Sequence, residues 1–325
     1  MKVKKSYQVI SIILSLLILY FLVVQIDFRD VSGVLTKVKP GFLIAAFASY
    51  FFLNWARSHR FFHLLQKKIS FRELFQISLA HNFINSILPA RTGELSYIYY
   101  TRKTGKVGVA GGLASLFSAR VLDTLSVIIL MLFSLIFISS SIADANEVLY
   151  LTIAGLAVVL ALIIFIIFGG SKISKILNAI FLFFSAGGKF DRFPIGKKIL
   201  LKFDEALVLI AQLKTASLFW SVFATSILIW LLIFLRVWLI ALGFGLEINF
   251  WQAIFIGGLP TLVSIIPFYT FGNFGIFEGS TTLALVLLGF DKESAISFSF
   301  ILHLTGILIA ALPGLWSYIV LLYKK

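Results

Sequence analysis

The sequence predicts an all-α polytopic membrane protein, on three observations. Of 325 residues, 60% are hydrophobic and 16% aromatic against 13% charged. The apolar runs reach the roughly 20 residues that a bilayer-crossing helix needs. Two further apolar stretches, ILPARTGE (Ile87 to Glu94) and IPFYTFGNFGIFEG (Ile266 to Gly279), are interrupted by proline, glycine and then a carboxylate. In hydrocarbon an unpaired backbone amide or an ionised side chain costs several kcal/mol, so broken acidic helices persist where they line a protein-enclosed or watery cavity. Function is expected there.

Taken in order, the first run, Tyr7 to Val24, follows MKVKKS and continues into QIDFRD without a small-x-small cleavage site, which predicts an uncleaved signal anchor with a cytoplasmic amino terminus. Runs of spanning or near-spanning length follow at Phe42 to Ala56, Val107 to Ser139, Val148 to Phe168, Ala216 to Gly243 and Ala295 to Tyr323. The segments Phe71 to Tyr100 and Phe250 to Gly289 are long enough to enter and return as hairpins. The expectation is about six full spans plus two re-entrant broken helical hairpins.

Charge gives the orientation. With both hairpins re-entrant, all Lys and Arg outside the apolar segments face the cytoplasm except Arg29, Lys37, Lys39 and Lys292, and both termini are cytoplasmic. The five basic residues after the second span, Arg57 among them, are counted on that side. The net charge of +14 is therefore an orientation signal rather than a sign of nucleic acid.

Arg91, Arg120 and Arg236 remain inside or beside apolar segments, with Glu94, Asp123 and Glu278. Three opposite pairs would neutralise one another around a shared cavity. Arg91 with Glu94, and Arg120 with Asp123, stand three apart, on one face of any helix that holds both.

The order of elements looks duplicated: a span, a broken hairpin and a span occur in each half, running in opposite directions, which predicts an inverted-topology repeat. The chain is then a single integral membrane domain over residues 1–325. It divides into a signal anchor and outer loop (1–41), a first half-repeat (42–139), a connecting span with a basic amphipathic cytoplasmic linker (140–215) and a second half-repeat (216–325). The amphipathic helix is read from Ile199, Phe203, Leu207, Ile210 and Leu213 at helical spacing, with Lys197, Lys198 and Lys202 at other angles.

HNFINSILPARTGELSYIYY, then SARVLDT and IPFYTFGNFGIFEGS, resemble the transmembrane region of lysylphosphatidylglycerol synthase. The matching elements are Asn82 or Asn85, Leu88 to Glu94, Arg120 with Asp123, and Pro267 to Glu278. The resemblance implies a lipid-handling module in the cytoplasmic membrane of a prokaryote. In two-domain members an aminoacyl-transferase loads the lipid and the membrane region moves it outward. No such domain follows the last span here, so a stand-alone member is expected, with a separate lipid-modifying enzyme as partner. Ala119 stands where the family carries an acid.

The substrate or cavity candidates are Asn82, Asn85, Pro89, Arg91, Gly93, Glu94, Arg120, Asp123, Arg236, Pro267, Gly272, Gly275 and Glu278, with His303 as a proton relay. Competing structural roles are a register-fixing ion pair for Arg120 and Asp123, a span-locking contact for Arg236, local backbone bonding near Pro89 for the asparagines, and close helix packing for Gly108 and Gly112. His59 and His63 have metal-ligand spacing without a third ligand. No cysteine, nucleotide loop, HExxH or GxSxG element is present, so no catalytic residue, cofactor or metal is expected. The expected function is a flippase or translocase for lipids with charged headgroups. The alternative is a membrane scaffold or intramembrane enzyme in a lipid-modifying pathway.

Overall fold

The structure, a computed structural model, describes residues 38–88, 93–139, 153–158, 161, 216–264 and 271–323. The signal anchor, most of the Val148 to Phe168 run and the amphipathic linker lie outside these residues. The main helices are α1 (Pro40–Leu64), α2 (Phe71–Ile87), α3 (Glu94–Lys103), α4 (Val109–Ile138), α5 (Ala216–Gly243), α6 (Phe250–Val263), α7 (Ile276–Leu287) and α8 (Lys292–Tyr323). No strand occurs among the described residues.

The first span is longer than the sequence predicted. Pro40 presets the first turn of α1, and no proline or glycine interrupts the chain after Gly41. The helix therefore runs past Ala56 and carries Arg57 and Arg60 with it. It stops where Gln66 and Lys67 adopt left-handed φ angles of 53° and 62°. Each hairpin starts on a capping box, Ser70 with Glu73 for α2 and Asn249 with Gln252 for α6.

The helices fall into two length classes. α4, α5 and α8 have 30, 28 and 32 residues and exceed the ~20 needed to cross a bilayer. The hairpin limbs α2, α3, α6 and α7 have 17, 10, 14 and 12, and none reaches that length. α3 folds back along α2: a Cβ on Gly93 would lie 2.4 Å from Asn85 Cα, and His81 Nδ1 is 3.2 Å from the Gly93 carbonyl.

Contacts sort the connections to two ends. At one, Lys103 Nζ donates to the Leu321 carbonyl (2.8 Å) and Lys106 meets Glu73 (3.2 Å). These gather the α1–α2 loop, the α3–α4 loop and the end of α8. At the other, Lys39 N–H donates to the Gly243 carbonyl (2.7 Å) and Ser134 Oγ to the Trp251 carbonyl (2.7 Å). Both limbs of the first hairpin thus return to the first end, and the second hairpin starts from the other. Between the ends, the 3-10 turn Phe271–Asn273 of the second hairpin packs on α2 of the first.

Large apolar groups face outward, among them Phe52, Trp55, Ile136, Leu312 and Trp316, while Asn54, Ser58, Arg60, Asp123 and Glu278 are buried. This inside-out distribution fits a lipid environment and no aqueous one.

The packing has a formal regularity. Exchange α1, α2, α3 and α4 with α5, α6, α7 and α8, and the principal helix pairs map onto one another. α1–α5 maps onto itself; α2–α8 exchanges with α4–α6, α3–α4 with α7–α8, and α1–α4 with α5–α8. At the α2–α8 contact the helices close on Gly314, where a Cβ would sit 2.2 Å from Phe83 Cβ and 3.1 Å from the Leu79 carbonyl. Neither neighbour is a flexible side-chain end. Gly314→Ala is expected to lose about 1–3 kcal/mol, read as a lower thermal midpoint in detergent, whereas Gly279→Ala, with nothing within 4 Å, leaves it unchanged.

Candidate functional site

Between the hairpins lies a cavity of about 460 Å³, bounded by α1, α2, α4, α5, α6, the 3-10 turn, α7 and α8. Its charges were placed differently by the sequence reading. Arg60, counted there as cytoplasmic, is buried inside α1, three residues beyond Arg57, so both cations point inward. Arg60 Nη1 donates to Asp123 Oδ1 (2.5 Å) and to Ser226 Oγ (2.9 Å), and Nη2 donates to Asp123 Oδ2 (3.2 Å). Trp230 Nε1 donates to the same Oδ1 at 3.1 Å. Asp123 thus takes a bidentate fork and an indole, a set that compensates its burial.

The expected intrahelical pair is a minor contact: Arg120 Nη1 is 3.9 Å from Asp123 Oδ2. Its Nη2 lies 2.8 Å from Glu94 Oε1, close enough for an ion pair but without hydrogen-bond alignment. Nor does Glu278 meet an arginine. Its Oε1 lies 2.6 Å from His303 Nδ1, and its Oε2 accepts the Gly275 N–H at 2.6 Å. The His303 ring stacks on Phe277 (centroids 4.4 Å apart) and touches Phe274. Among the described residues, Arg57, Arg60, Arg120 and Arg236 line the cavity with Asp123, while Glu94 stands behind Arg120 and Glu278 behind His303; Arg91, the third arginine of the expected balance, lies outside them.

Two of the arginines that line the cavity, Arg57 and Arg236, have no carboxylate within 4.0 Å among the described residues. Arg57 donates to Asn82 Oδ1, and Asn82 in turn donates to Asn54. This gives Asn82 a cross-helix role in place of the expected backbone bonding near Pro89. Arg236 lies over the Tyr50 ring, 5.6 Å from its centroid, a cation–π contact. Tyr50 Oη, Asn85 Oδ1, Arg120 Nε and Asn273 Oδ1 have no hydrogen-bond partner among the described residues, and all four residues line the cavity.

Of the expected site residues, Asn82, Asn85, Arg120, Asp123, Arg236, Gly272 and His303 line the cavity. Gly93 shapes the first hairpin by close approach. Gly275, at φ 87°, starts α7 in a conformation that suits glycine. Pro89, Arg91 and Pro267 lie outside the described residues. Gly112 packs closely on α3, a Cβ there lying 3.0 Å from Thr101 Oγ1, while Gly108 has nothing within 4 Å. His59 and His63 have ring centroids 4.6 Å apart, and no metal-holding group of three occurs among the described residues.

Arg57, Arg60, His81 and Trp230 were missed from sequence. NWARSHRFFH reads as a basic loop by charge. The signal available was the absence of any breaker between Asn54 and Leu65, which keeps both arginines on helix.

Long outward-apolar helices around a buried, charged cavity define a polytopic integral membrane protein. The chain belongs to the family described as the lysylphosphatidylglycerol synthase TM region, whose sequence model matches residues 8–314. That family relates the chain to lipid modification or translocation. Comparisons with curated proteins and with solved structures give no match.

Proposed function

We propose that the chain is a lipid translocase module that moves a phospholipid or lipid-linked headgroup across the cytoplasmic membrane of a prokaryote. The observation that carries this reading is the cavity's mixed lining. Arg57, Arg60, Asn82, Arg120, Asp123 and Arg236 line it together with Ile233, Val237, Leu302, Ile307 and Ala310. An amphiphile is the ligand that fits both.

The two ends support the orientation. Lys67, Lys68, Arg72, Arg102, Lys103 and Lys106 cluster on one, whereas the other carries Glu247, Asp291 and Glu293 with Lys39 and Lys292. The basic end is cytoplasmic on the positive-inside rule. The hairpins then enter from opposite faces, as re-entrant segments of an inverted repeat, and their tips meet near the midplane. A headgroup there is shielded from hydrocarbon, where a bare charge costs several kcal/mol or more. Arginine forks meet its phosphate, Asn85 and Asn273 accept from its hydroxyl or ammonium groups, and the acyl chains stay in the bilayer. A separate lipid-modifying enzyme supplies the cargo.

The test is leaflet-to-leaflet movement of labelled phosphatidylglycerol in liposomes containing the purified protein. Arg57→Gln is expected to slow movement about tenfold or more at an unchanged thermal midpoint. Folded wild-type protein that moves no lipid overturns the reading, and a chemically altered lipid assigns an intramembrane enzyme instead.

A further inference from the structure

The exchange that relates the helix pairs extends to single residues. The interval from Arg60 to Arg236 is also the interval from Tyr50 to Ser226. Arg60 donates to Ser226, and Arg236 lies over Tyr50, so the two contacts are counterparts. On α4 and α8 one interval takes Arg120 to His303, Asp123 to Gly306, Thr124 to Ile307 and Val127 to Ala310, and all eight line the cavity. Arg120 meets the acid of α3's first turn and His303 the acid of α7's, which fixes the same register independently.

This register shows what the second half lacks. In the first, Asp123 on α4 occupies the N–H fork of Arg60 on α1. In the second, the counterpart of Asp123 is Gly306, which bears no side chain, and Arg236 has no carboxylate within 4.0 Å among the described residues. The Tyr50 ring holds Arg236 by a cation–π contact, and the guanidinium makes no hydrogen bond among the described residues, which leaves its donors available. A Cβ at Gly306 would meet nothing within 4 Å. Close packing therefore does not require the glycine, and the space beside it opens on the cavity.

We propose that Arg236 is the principal anchor for a phosphate group in this cavity, and that Gly306 is a specificity determinant that leaves vacant the position from which a carboxylate would neutralise it. The proposal rests on reading the cavity as a headgroup site and names its ligand class, a phosphate mono- or diester anion. Arg60 is spent on Asp123 and Ser226, and Arg57 is tied to Asn82. Arg236 alone combines an aromatic rest, an unopposed charge and an open approach.

The test is calorimetric binding of a short-chain phosphatidylglycerol, and separately of inorganic phosphate, to purified protein in a zwitterionic detergent. Gly306→Asp and Arg236→Gln are each expected to weaken phosphatidylglycerol binding about tenfold or more, the scale of a lost charge-assisted contact. Gly306→Ala, of neutral chemistry, stays within about twofold. Phosphatidylglycerol binding far above phosphate identifies a lipid headgroup site, and equal binding identifies a free-anion site; both support the phosphate class. Equal losses in Gly306→Ala and Gly306→Asp, or wild-type binding in folded Gly306→Asp, overturn the proposal. Should Gly306→Asp not fold, undiminished binding by Arg236→Gln does the same. In liposomes, lipid movement insensitive to Gly306→Asp overturns this assignment and leaves the translocase reading standing. Phosphate binding that Gly306→Asp abolishes, in a wild-type protein that moves no lipid, does the reverse.

Discussion

Asp123→Asn is expected to be the most destabilising single substitution at the site. Arg60 is only 3% exposed, and two of its bonds end on the Asp123 carboxylate. Removing the carboxylate's charge leaves a guanidinium buried without compensation, which costs about 3–5 kcal/mol in comparable buried pairs. The Asn amide replaces only one acceptor, and its NH2 faces the donor fork. Thermal unfolding in detergent should show a large fall in midpoint and poor recovery of folded protein. The companion variant combines Asp123→Asn with Arg60→Met, which removes the buried cation, keeps volume and leaves a carbonyl for Trp230. Replacing both members of a buried pair is often close to neutral, so most of the stability should return. Wild-type stability in Asp123→Asn alone would mean that cavity water solvates Arg60 and that the pair is not structural.

The double substitution also separates the two roles given to intramembrane charge. Arg60 and Asp123 pair, with Ser226 on the guanidinium and Trp230 on the carboxylate, so they hold α1, α4 and α5 in register. Arg57 and Arg236 have no such closure. A folded protein without the Arg60–Asp123 pair should therefore retain much of its phosphate binding, whereas loss of Arg236 should remove it at little cost in stability.

Much of this was legible in the sequence. Proline, glycine and carboxylate in ILPARTGE and in IPFYTFGNFGIFEG marked chain reversals, because breakers in hydrocarbon need enclosed surroundings. α2 with α3 and α6 with α7 form the helical limbs on either side of them. The long apolar runs matched α4, α5 and α8, since a span's length is dictated by bilayer thickness. Charge pairing was not legible. Spacing of three suggested Arg120 with Asp123, but a partner on the same helix competes with any cation that a neighbouring helix delivers, and Arg60 arrives on α1 with better geometry. The order of elements suggested the duplication, but the residue register between the halves was hidden. The interval between equivalent residues differs from element to element: Phe47-Ala48-Ser49 against Phe223-Ala224-Thr225 keeps one spacing, and Glu94-Leu95-Ser96 against Glu278-Gly279-Ser280 another. No single offset aligns both, and only the contacts supply the register.

Glu278→Gln carries the second large expected effect, and it reports how the hydrogens are arranged. Glu278 has no exposed surface. One oxygen accepts the Gly275 N–H and the other contacts His303 Nδ1, each at 2.6 Å. Two arrangements of hydrogen fit the second contact, an Nδ1–H donating to a carboxylate or a carboxylic acid donating to Nδ1. In the first arrangement the carboxylate accepts two hydrogen bonds, from the Gly275 amide at the start of α7 and from His303 Nδ1–H. Gln then has one acceptor for two donors. Its NH2 faces either Nδ1–H or the Gly275 amide, leaving a buried donor unsatisfied at about 1–3 kcal/mol. The tip Gly272–Gly275 should loosen, and lipid movement should fall more steeply than the thermal midpoint. A Glu278→Gln protein as stable as wild type would identify the second arrangement instead, since glutamine mimics a carboxylic acid's donor and acceptor pattern.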